Sequence, residues 1–397
     1  MIKFEEAQRL ILKKIKRLGR ETVRIEEAMD RVLAEEIASD MDVPPFNKSA
    51  MDGYAFSHRQ IKNVPAVLKV KSEIRAGEYE PDKLKKTECL KIMTGAPLPK
   101  RTDCVVKMED IETLKNNYIK IMKKPSFGEN VCFKGEDVQK GRIILRKGAV
   151  LRGPEVAVCA AVGKSKVQVY RRPKVSVLST GDELVEPDKK VTFGKIRNSN
   201  GPMLIALLKK MGISPDYLGI VKDKEKNLIC KIRKGLSSDI FIISGGVSVG
   251  DYDLVPAALE KCGVKKIFHK LAITPGKPLF FGQKGEHLIF GVPGNPVSTY
   301  LLFLTLIRLA INRMMGTTLN LNLRKGTVTS DYSQRPGRKR FVPAKIKMQG
   351  NRHTIYPLRE YHGSADIISL VKADGFMIIP DSITFLEKNS SAEVFLW

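Results

Sequence analysis

At 397 residues the chain is longer than one hydrophobic core usually organises, so two to four domains are expected. Its 43% hydrophobic and 28% charged residues exclude the composition of a disordered chain. The formal charge of +26 attracts polyanions, but the basic residues are scattered. Only short clusters occur, at Lys13–Lys14, Lys83–Lys86 and Arg335–Arg340, as on a solvated cationic surface.

The segment Phe4–Leu18 places Ala7, Leu10, Ile11, Lys14 and Ile15 near one face and stops at Gly19, which predicts an amphipathic helix. A second helix is expected over Glu26–Ile37. The stretch Val43–Phe56, VPPFNKSAMDGYAF, reads as an ordered loop, because two prolines exclude helix and the DG step suits a turn. From Pro65 to about Val150, short alternating runs at Val67–Ile74, Cys104–Met108 and Tyr118–Met122 predict a small, mostly β domain. A short helix over Pro154–Val162 and a strand over Val167–Tyr170 follow.

Beyond Pro173 the rhythm becomes strand Val175–Thr180, helix Pro202–Met211, strand Tyr217–Val221, helix Lys224–Gly235 and strand Asp239–Ser244. The first helix spaces Leu204, Leu207, Leu208 and Met211 as one apolar stripe, and the strands are continuous apolar runs. Both features predict a doubly wound α/β domain. It continues through Pro278–Phe281 and Leu288–Phe290 and closes with a helix from Pro296 to Met315. Short strands at Gly326–Thr329, Arg340–Met348, His353–Tyr356, Gly375–Ile379 and Ala392–Leu396 then predict a C-terminal β-barrel-like domain.

The longest uncharged stretch, His287–Ile307, is broken by VPGNP, so no membrane helix is expected. Charged residues at Lys3, Glu5 and Glu6 leave no signal-peptide core, which points to the cytoplasm. The cysteines at 89, 104, 132, 159, 230 and 262 form no CxxC pair, so buried free thiols are expected and structural zinc is not.

The sharpest chemical feature is SGGVSVGDYD, Ser244–Asp253, directly after a buried strand. Gly245, Gly246 and Gly250, with Ser244 and Ser248, suit close backbone approach to a phosphate at the carboxyl end of a parallel strand. The glycine spacing from Gly245 to Gly250 is that of a P-loop, but Asp251 stands where the lysine is required. Asp251 and Asp253 beside an anion fit a magnesium ion (Mg2+) between carboxylates and phosphates.

STGDEL brings Glu183 to a second strand end, and Asp223 follows a third. Lys277 in TPGKPLFFG offers a charge for an oxyanion, while Pro293, Asn295 and Pro296 in GVPGNPVST open the last helix. Asp52 in MDGYA, Thr94 in MTGAPLP and Asp137 in KGEDVQKG stand in loops outside this domain. Each is also compatible with an ordinary cap or turn.

In order along the chain, PPFNKSAMDGYAF, MTGAPLP, KGEDVQKG, STGDEL, SGGVSVGDYD, PGKPLFFG, GVPGNPVS and GSADIISLVKADGF resemble the motif series of the molybdopterin molybdenumtransferases. That family includes the C-terminal part of gephyrin. The resemblance implies an elongated homodimer with an N-terminal linker domain from residues 1–43 and 141–170. It further implies a loop-rich β domain at 44–140, a molybdopterin-binding α/β domain at 171–316 and a β-barrel-like domain at 317–397. The implied reaction joins adenylyl-molybdopterin and molybdate, or tungstate, with Mg2+ and releases AMP.

Carried over to this chain, Asp52, Glu183, Asp223 and Asp253 match the acidic positions tied to activity, with Glu183, Asp251 and Asp253 toward the metal and Asp52 supplied across the dimer. Lys270, Lys277, Arg338 and Ser364 match the molybdate pocket, while Thr274 and Pro343 depart from the family's lysine and arginine there. Thr94, Asp137, Ser244, Gly245, Gly246, Ser248, Gly250, Pro293, Asn295 and Pro296 fall to the organic substrate. The adenylyltransferase that makes the intermediate shares the α/β domain and is a possible partner, but it would need only that domain. A cationic scaffold or RNA-binding protein would call for aromatic platforms among the basic residues, and aromatics are only 7% of the chain.

Overall fold

The computed structural model describes residues 1–79, 84–247, 254–318, 321–350, 352–358 and 360–397. Its centre is a six-stranded mixed sheet. Asp216–Val221, Val175–Thr180, Ile240–Ser244 and His287–Val292 lie side by side and parallel, and Phe280–Lys284 and Lys265–Phe268 add two antiparallel strands at one edge. Every residue of Ile240–Ser244 is buried. Ile240 and Ile242 join Val177, Leu204 and Leu208 on one face, while Phe241 and Ile243 join Leu178, Leu228 and Val255 on the other. Alternation across a doubly covered sheet explains why these strands read as unbroken apolar runs.

The antiparallel edge departs from the expected continuation of the parallel rhythm. Lys284 pairs with His287 across a turn at Gly285, and so short a connection cannot hold the crossover that a parallel neighbour needs.

The N-terminal helix spans Phe4–Lys14, short of the expected Leu18, and buries Phe4, Ala7 and Ile11. The helix expected over Glu26–Ile37 does not form. Only a single 3-10 turn occurs at Ile25–Glu27, and Asp30 adopts φ 58°, where a right-handed helix cannot continue. Leu33 N–H then donates to the Ala149 carbonyl and Ala34 N–H to that of Gln168, with Leu33 and Ile37 buried among Leu151, Cys159 and Val169. Long-range ladder bonds have overridden helix propensity.

A second six-stranded sheet orders Cys104–Lys107, Gly53–Phe56, Glu88–Ile92, Ala66–Ile74, Tyr118–Ile121 and Ile111–Leu114. The stretch expected to be a loop therefore ends as a strand, Gly53–Phe56, buried at all four positions. In the C-terminal region, Lys339–Gln349, Arg352–Pro357, Asn322–Val328, Ser391–Leu396 and Gly375–Ile379 pair in turn, and the last pairs back to the first. This closed barrel bears out the expected C-terminal β domain. It carries a helix, Ile367–Lys372, that periodicity did not reveal, capped by the Asp366 carboxylate accepting from Ser369 N–H.

One seam joins these parts. Ile2 N–H donates to the Lys270 carbonyl at 3.0 Å, and Ala272 N–H donates to the Ile2 carbonyl at 2.8 Å. Ile273–Thr274 pairs with Lys339–Arg340 of the barrel, and the Phe4 and Phe341 rings meet at 5.5 Å. Phe4, Ile11, Phe281, Leu306, Phe376 and Phe395 belong to one continuous apolar cluster.

The final α/β helix runs longer than its uncharged stretch. It continues as Pro296–Leu302, a π-helical Phe303–Ile307 and Arg308–Met314. Among the described residues this 19-residue helix is long and apolar enough to cross a membrane, yet 72% of its apolar window is buried inside the fold.

Arg171 grips Asp239 through two side-chain bonds at 2.7 and 2.8 Å, fixing the start of the central strand. Burial alone would raise the Asp239 pKa, but the Arg171 guanidinium and Lys174 N–H hold it below the ordinary value. A depressed carboxylate pKa contributes stability that is fully present above the unfolded-state value and lost as pH falls through the folded one. Asp239→Asn is therefore expected to cost about 1–2 kcal/mol at neutral pH, discounted because the Arg171 side chain is partly exposed. Urea unfolding at pH 7 and near pH 3 checks this, since the gap from wild type should narrow in acid.

Candidate functional site

The carboxyl ends of three adjacent strands finish at one level, because Ser179 pairs in register with Ser244 and Ser244 with Val292. The loops STGDEL, SGG and VPGNP leave from that level, the position at which open α/β sheets bind ligands. Gly245 and Gly246 take φ of 95° and 63°, and a Cβ on Gly245 would press into the Thr180 carbonyl. Gly245 N–H donates to the Val292 carbonyl at 3.0 Å, so this glycine carries the turn instead of offering its amide to an anion.

Glu183 is exposed, with its carboxylate folded over Gly181. Asp223 stands beside STGDEL, its N–H donating to the Asp182 carboxylate at 3.2 Å. Two of the three expected acidic strand ends therefore meet. Ser248, Gly250, Asp251 and Asp253 lie outside the described residues.

Three of the oxyanion candidates, Lys270, Lys277 and Arg338, lie at one loop. Lys270 and Lys277 flank it, the Lys277 carbonyl accepting from Leu271 N–H at 2.9 Å. Arg338 is brought there by its neighbour, since Lys339 N–H donates to the Ala272 carbonyl at 3.0 Å. Thr274 pairs in register with Arg340, and Pro343 sits within the barrel strand opposite Phe376. Ser364 reaches the site from the barrel side. Asn295 donates to Ser364 Oγ at 2.7 Å, and Val297 N–H donates to the Ser364 carbonyl at 3.1 Å. The first amides of the Pro296 helix are thus not all free, because Ser364 takes one of them.

In the loop-rich domain, Thr94 binds Asp52 twice, through N–H and Oγ1 to Oδ1, both at 2.7 Å. The Thr94 backbone N–H first and its hydroxyl second hold the Asp52 carboxyl below its ordinary pKa. Asp137 is exposed and tied to the start of the same segment by its N–H to the Val43 carbonyl at 3.0 Å. Asp52 and Glu183 stand in different domains.

Two residues central to the crevice were not singled out from the sequence. Asn198 accepts from Ser179 Oγ and Gly201 N–H, and donates to the Tyr217 hydroxyl, which in turn donates to Glu186. Asn200 donates to Ser244 Oγ and to the Gly294 carbonyl, both at 2.8 Å. The available signal was RNSNG directly before an apolar helix, with two amide side chains in one turn.

Glycine-bearing and acidic loops leaving the level strand ends of a wound sheet mark an α/β domain of the class that binds ligands at its strand ends. Three family models cover the chain in order: "MoeA N-terminal region (domain I and II)" over residues 2–163, "Probable molybdopterin binding domain" over 176–313 and "MoeA C-terminal region (domain IV)" over 325–397. The molybdopterin molybdenumtransferase of Bacillus subtilis (strain 168) is 31% identical over 404 aligned residues, covering 100% of this chain and 94% of that protein. That of Staphylococcus epidermidis is 30% identical, covering 100% and 95%. A crystal structure of the molybdopterin biosynthesis MoeA protein from Pyrococcus horikoshii gives a TM-score of 0.84 at 33% identity, covering 100% of this chain and 99% of that one. The chain belongs to the molybdopterin molybdenumtransferase family. Correspondence along its whole length does not favour the one-domain adenylyltransferase or the cationic scaffold.

Two substitutions test this geometry. Gly245→Ala should destabilise the fold by about 2 kcal/mol or more, from a disfavoured φ and the Thr180 contact, as read by thermal unfolding. Thr94→Val removes the hydroxyl donor while sparing the backbone bond, so the Asp52 pKa should rise towards its ordinary value in a carboxyl-carbon NMR titration.

Proposed function

We propose that this protein inserts molybdate, or the near-identical tungstate, into adenylyl-molybdopterin and releases AMP as the last step of molybdenum cofactor assembly. The observation that carries this reading is the bond between Asn295 and Ser364 Oγ, which joins the substrate loop of the α/β domain to the oxyanion candidate of the barrel. The class of transferase acting in molybdenum cofactor biosynthesis follows from the family; the substrates and residue roles are our assignment.

In this reading Ser244, Gly246, Ser248 and Gly250 serve the pyrophosphate, and Pro293, Asn295 and Pro296 the rest of the organic substrate. Lys270, Lys277 and Arg338 supply charge-assisted hydrogen bonds to the oxyanion, and Ser364 adds a neutral one. Thr274 and Pro343 leave that pocket with fewer cations than the family pattern. Asp52, oriented by Thr94, enters with Asp137 from a second copy of the chain in a homodimer, and Asp223 completes the acidic wall.

No group of three or more His, Cys, Asp or Glu side chains that could hold a metal occurs among the described residues. Magnesium is commonly held by one or two carboxylates together with substrate phosphates, so it needs no such group, and exposed Glu183 at the strand end suits that role. Glu183 with Asp251 and Asp253 would hold Mg2+, which would neutralise charge on the pyrophosphate as AMP leaves. Burial of the long apolar helix Pro296–Met314 inside the fold accounts for its hydropathy without a membrane; we place the enzyme in the cytoplasm, where an adenylyltransferase would pass it its product.

The test is AMP release from adenylyl-molybdopterin by purified protein, with molybdate and tungstate titrated separately. Wild type should release AMP only with an oxyanion present and should lose activity on magnesium chelation. Asp52→Ala and Asp253→Ala should each cut kcat by about 100-fold or more while the protein stays folded. AMP release without any oxyanion, or unchanged by both substitutions, would overturn the assignment.

A further inference from the structure

We infer that Asn200 is a positioning residue for this reaction, a clamp that fixes the SGG and PGNP loops relative to one another before substrate arrives. This rests on the proposed transferase reading for its activity readout, but the geometry stands apart from it.

Among the described residues, the Asn200 side chain donates to both loops. Its Nδ2 donates to Ser244 Oγ at 2.8 Å and to the Gly294 carbonyl at 2.8 Å, with the Pro293 carbonyl at 3.4 Å. A carbonyl only accepts, so the Gly294 contact fixes which end of the amide is nitrogen. Ser244 Oγ, having accepted from Asn200, points its own hydrogen at the Pro293 carbonyl at 3.5 Å, and Thr299 Oγ1 donates to the same carbonyl at 2.7 Å. One carbonyl at the head of the last helix is therefore approached by donors from three elements.

The residue is 5% exposed, so these bonds form where water competes little. Its other end is uncommitted. Asn200 Oδ1 is buried with no hydrogen-bond donor among the described residues, and so is the neighbouring strand-end hydroxyl Thr180 Oγ1. A buried acceptor left without a donor is costly, and its retention beneath the ligand loops is accounted for if the amide is kept for what its nitrogen holds.

Asn200 lies at the start of the helix Asn200–Lys210, two residues after Asn198. Asn198 ties the same turn to Ser179 and, through Tyr217, to Glu186 beyond STGDEL. One short turn thus fixes three ligand loops. Misplacement of reacting groups by about 1 Å costs on the order of 100-fold in rate, so a clamp of this kind acts on kcat without touching substrate.

The experiment uses Asn200→Asp, which keeps the shape and removes both donations, and Thr299→Val, which removes the independent donor to Pro293. Hydrogen–deuterium exchange on the substrate-free full chain should show faster exchange over residues 244–247 and 292–298 in Asn200→Asp, with the barrel and the loop-rich sheet unchanged. In the AMP-release assay kcat should fall about 100-fold for Asn200→Asp and about 10-fold for Thr299→Val, with a smaller rise in KM. Unchanged exchange in both loops, kcat within about 3-fold of wild type, or a loss confined to KM overturns the clamp. If Asn200→Asp does not fold, Thr299→Val decides by the same two readouts. If wild type itself releases no AMP, the transferase reading has failed and the exchange result alone judges the clamp.

Discussion

The register of Ile240–Ser244 between its two parallel neighbours is the constraint on which the crevice depends. A strand buried along its whole length has no solvent face to which a slipped register could move its side chains, so slippage would displace apolar groups on both sides of the sheet at once. Asp239, gripped by Arg171, marks where that strand begins, and Ser244 marks where it ends. The glycine-rich turn is hung from that end. The glycines that follow, the acidic loop beside them and the proline-rich loop beyond are ordered in space because the strand ends are level.

Much of this was legible in the sequence, and the reasons are specific. Val175–Thr180 and Ile240–Ser244 announce themselves because both faces of the sheet are covered, and Asn200–Lys210 because Leu204 and Leu208 share a stripe. The motif loops were legible as loops because glycine and proline punctuate them. Glu26–Ile37 was misread for the opposite reason. Its helix formers are real, but Leu33 and Ala34 find ladder partners more than a hundred residues away, which no local pattern displays. The hairpin at Gly285 and the capped helix Ile367–Lys372 are short, and short elements carry little periodicity.

The site divides along the same line. Acidic residues at strand ends, such as Glu183 and Asp223, could be named as candidates from their position. The proximity of Ser364 to Asn295 could be anticipated only through resemblance, since it joins separate domains. Asn198 and Asn200 escaped notice because a neutral amide before a helix looks like an ordinary cap. Their significance lies in the acceptors they reach. The large positive charge, by contrast, drew attention out of proportion to its structural weight: most lysines and arginines are exposed, and many ion pairs they form are surface pairs.

The seam between the N-terminal helix, the α/β domain and the barrel has a mechanical consequence. A hinge needs a plane across which few contacts run, yet one apolar cluster extends from Phe4 through the last α/β helix to Phe395, and backbone bonds at Ile2, Ala272 and Lys339 cross it. The barrel therefore cannot swing off the α/β domain as a rigid body without unpacking a core. Access to the strand ends therefore does not depend on the barrel opening, and the barrel side of the site is set once the core has packed.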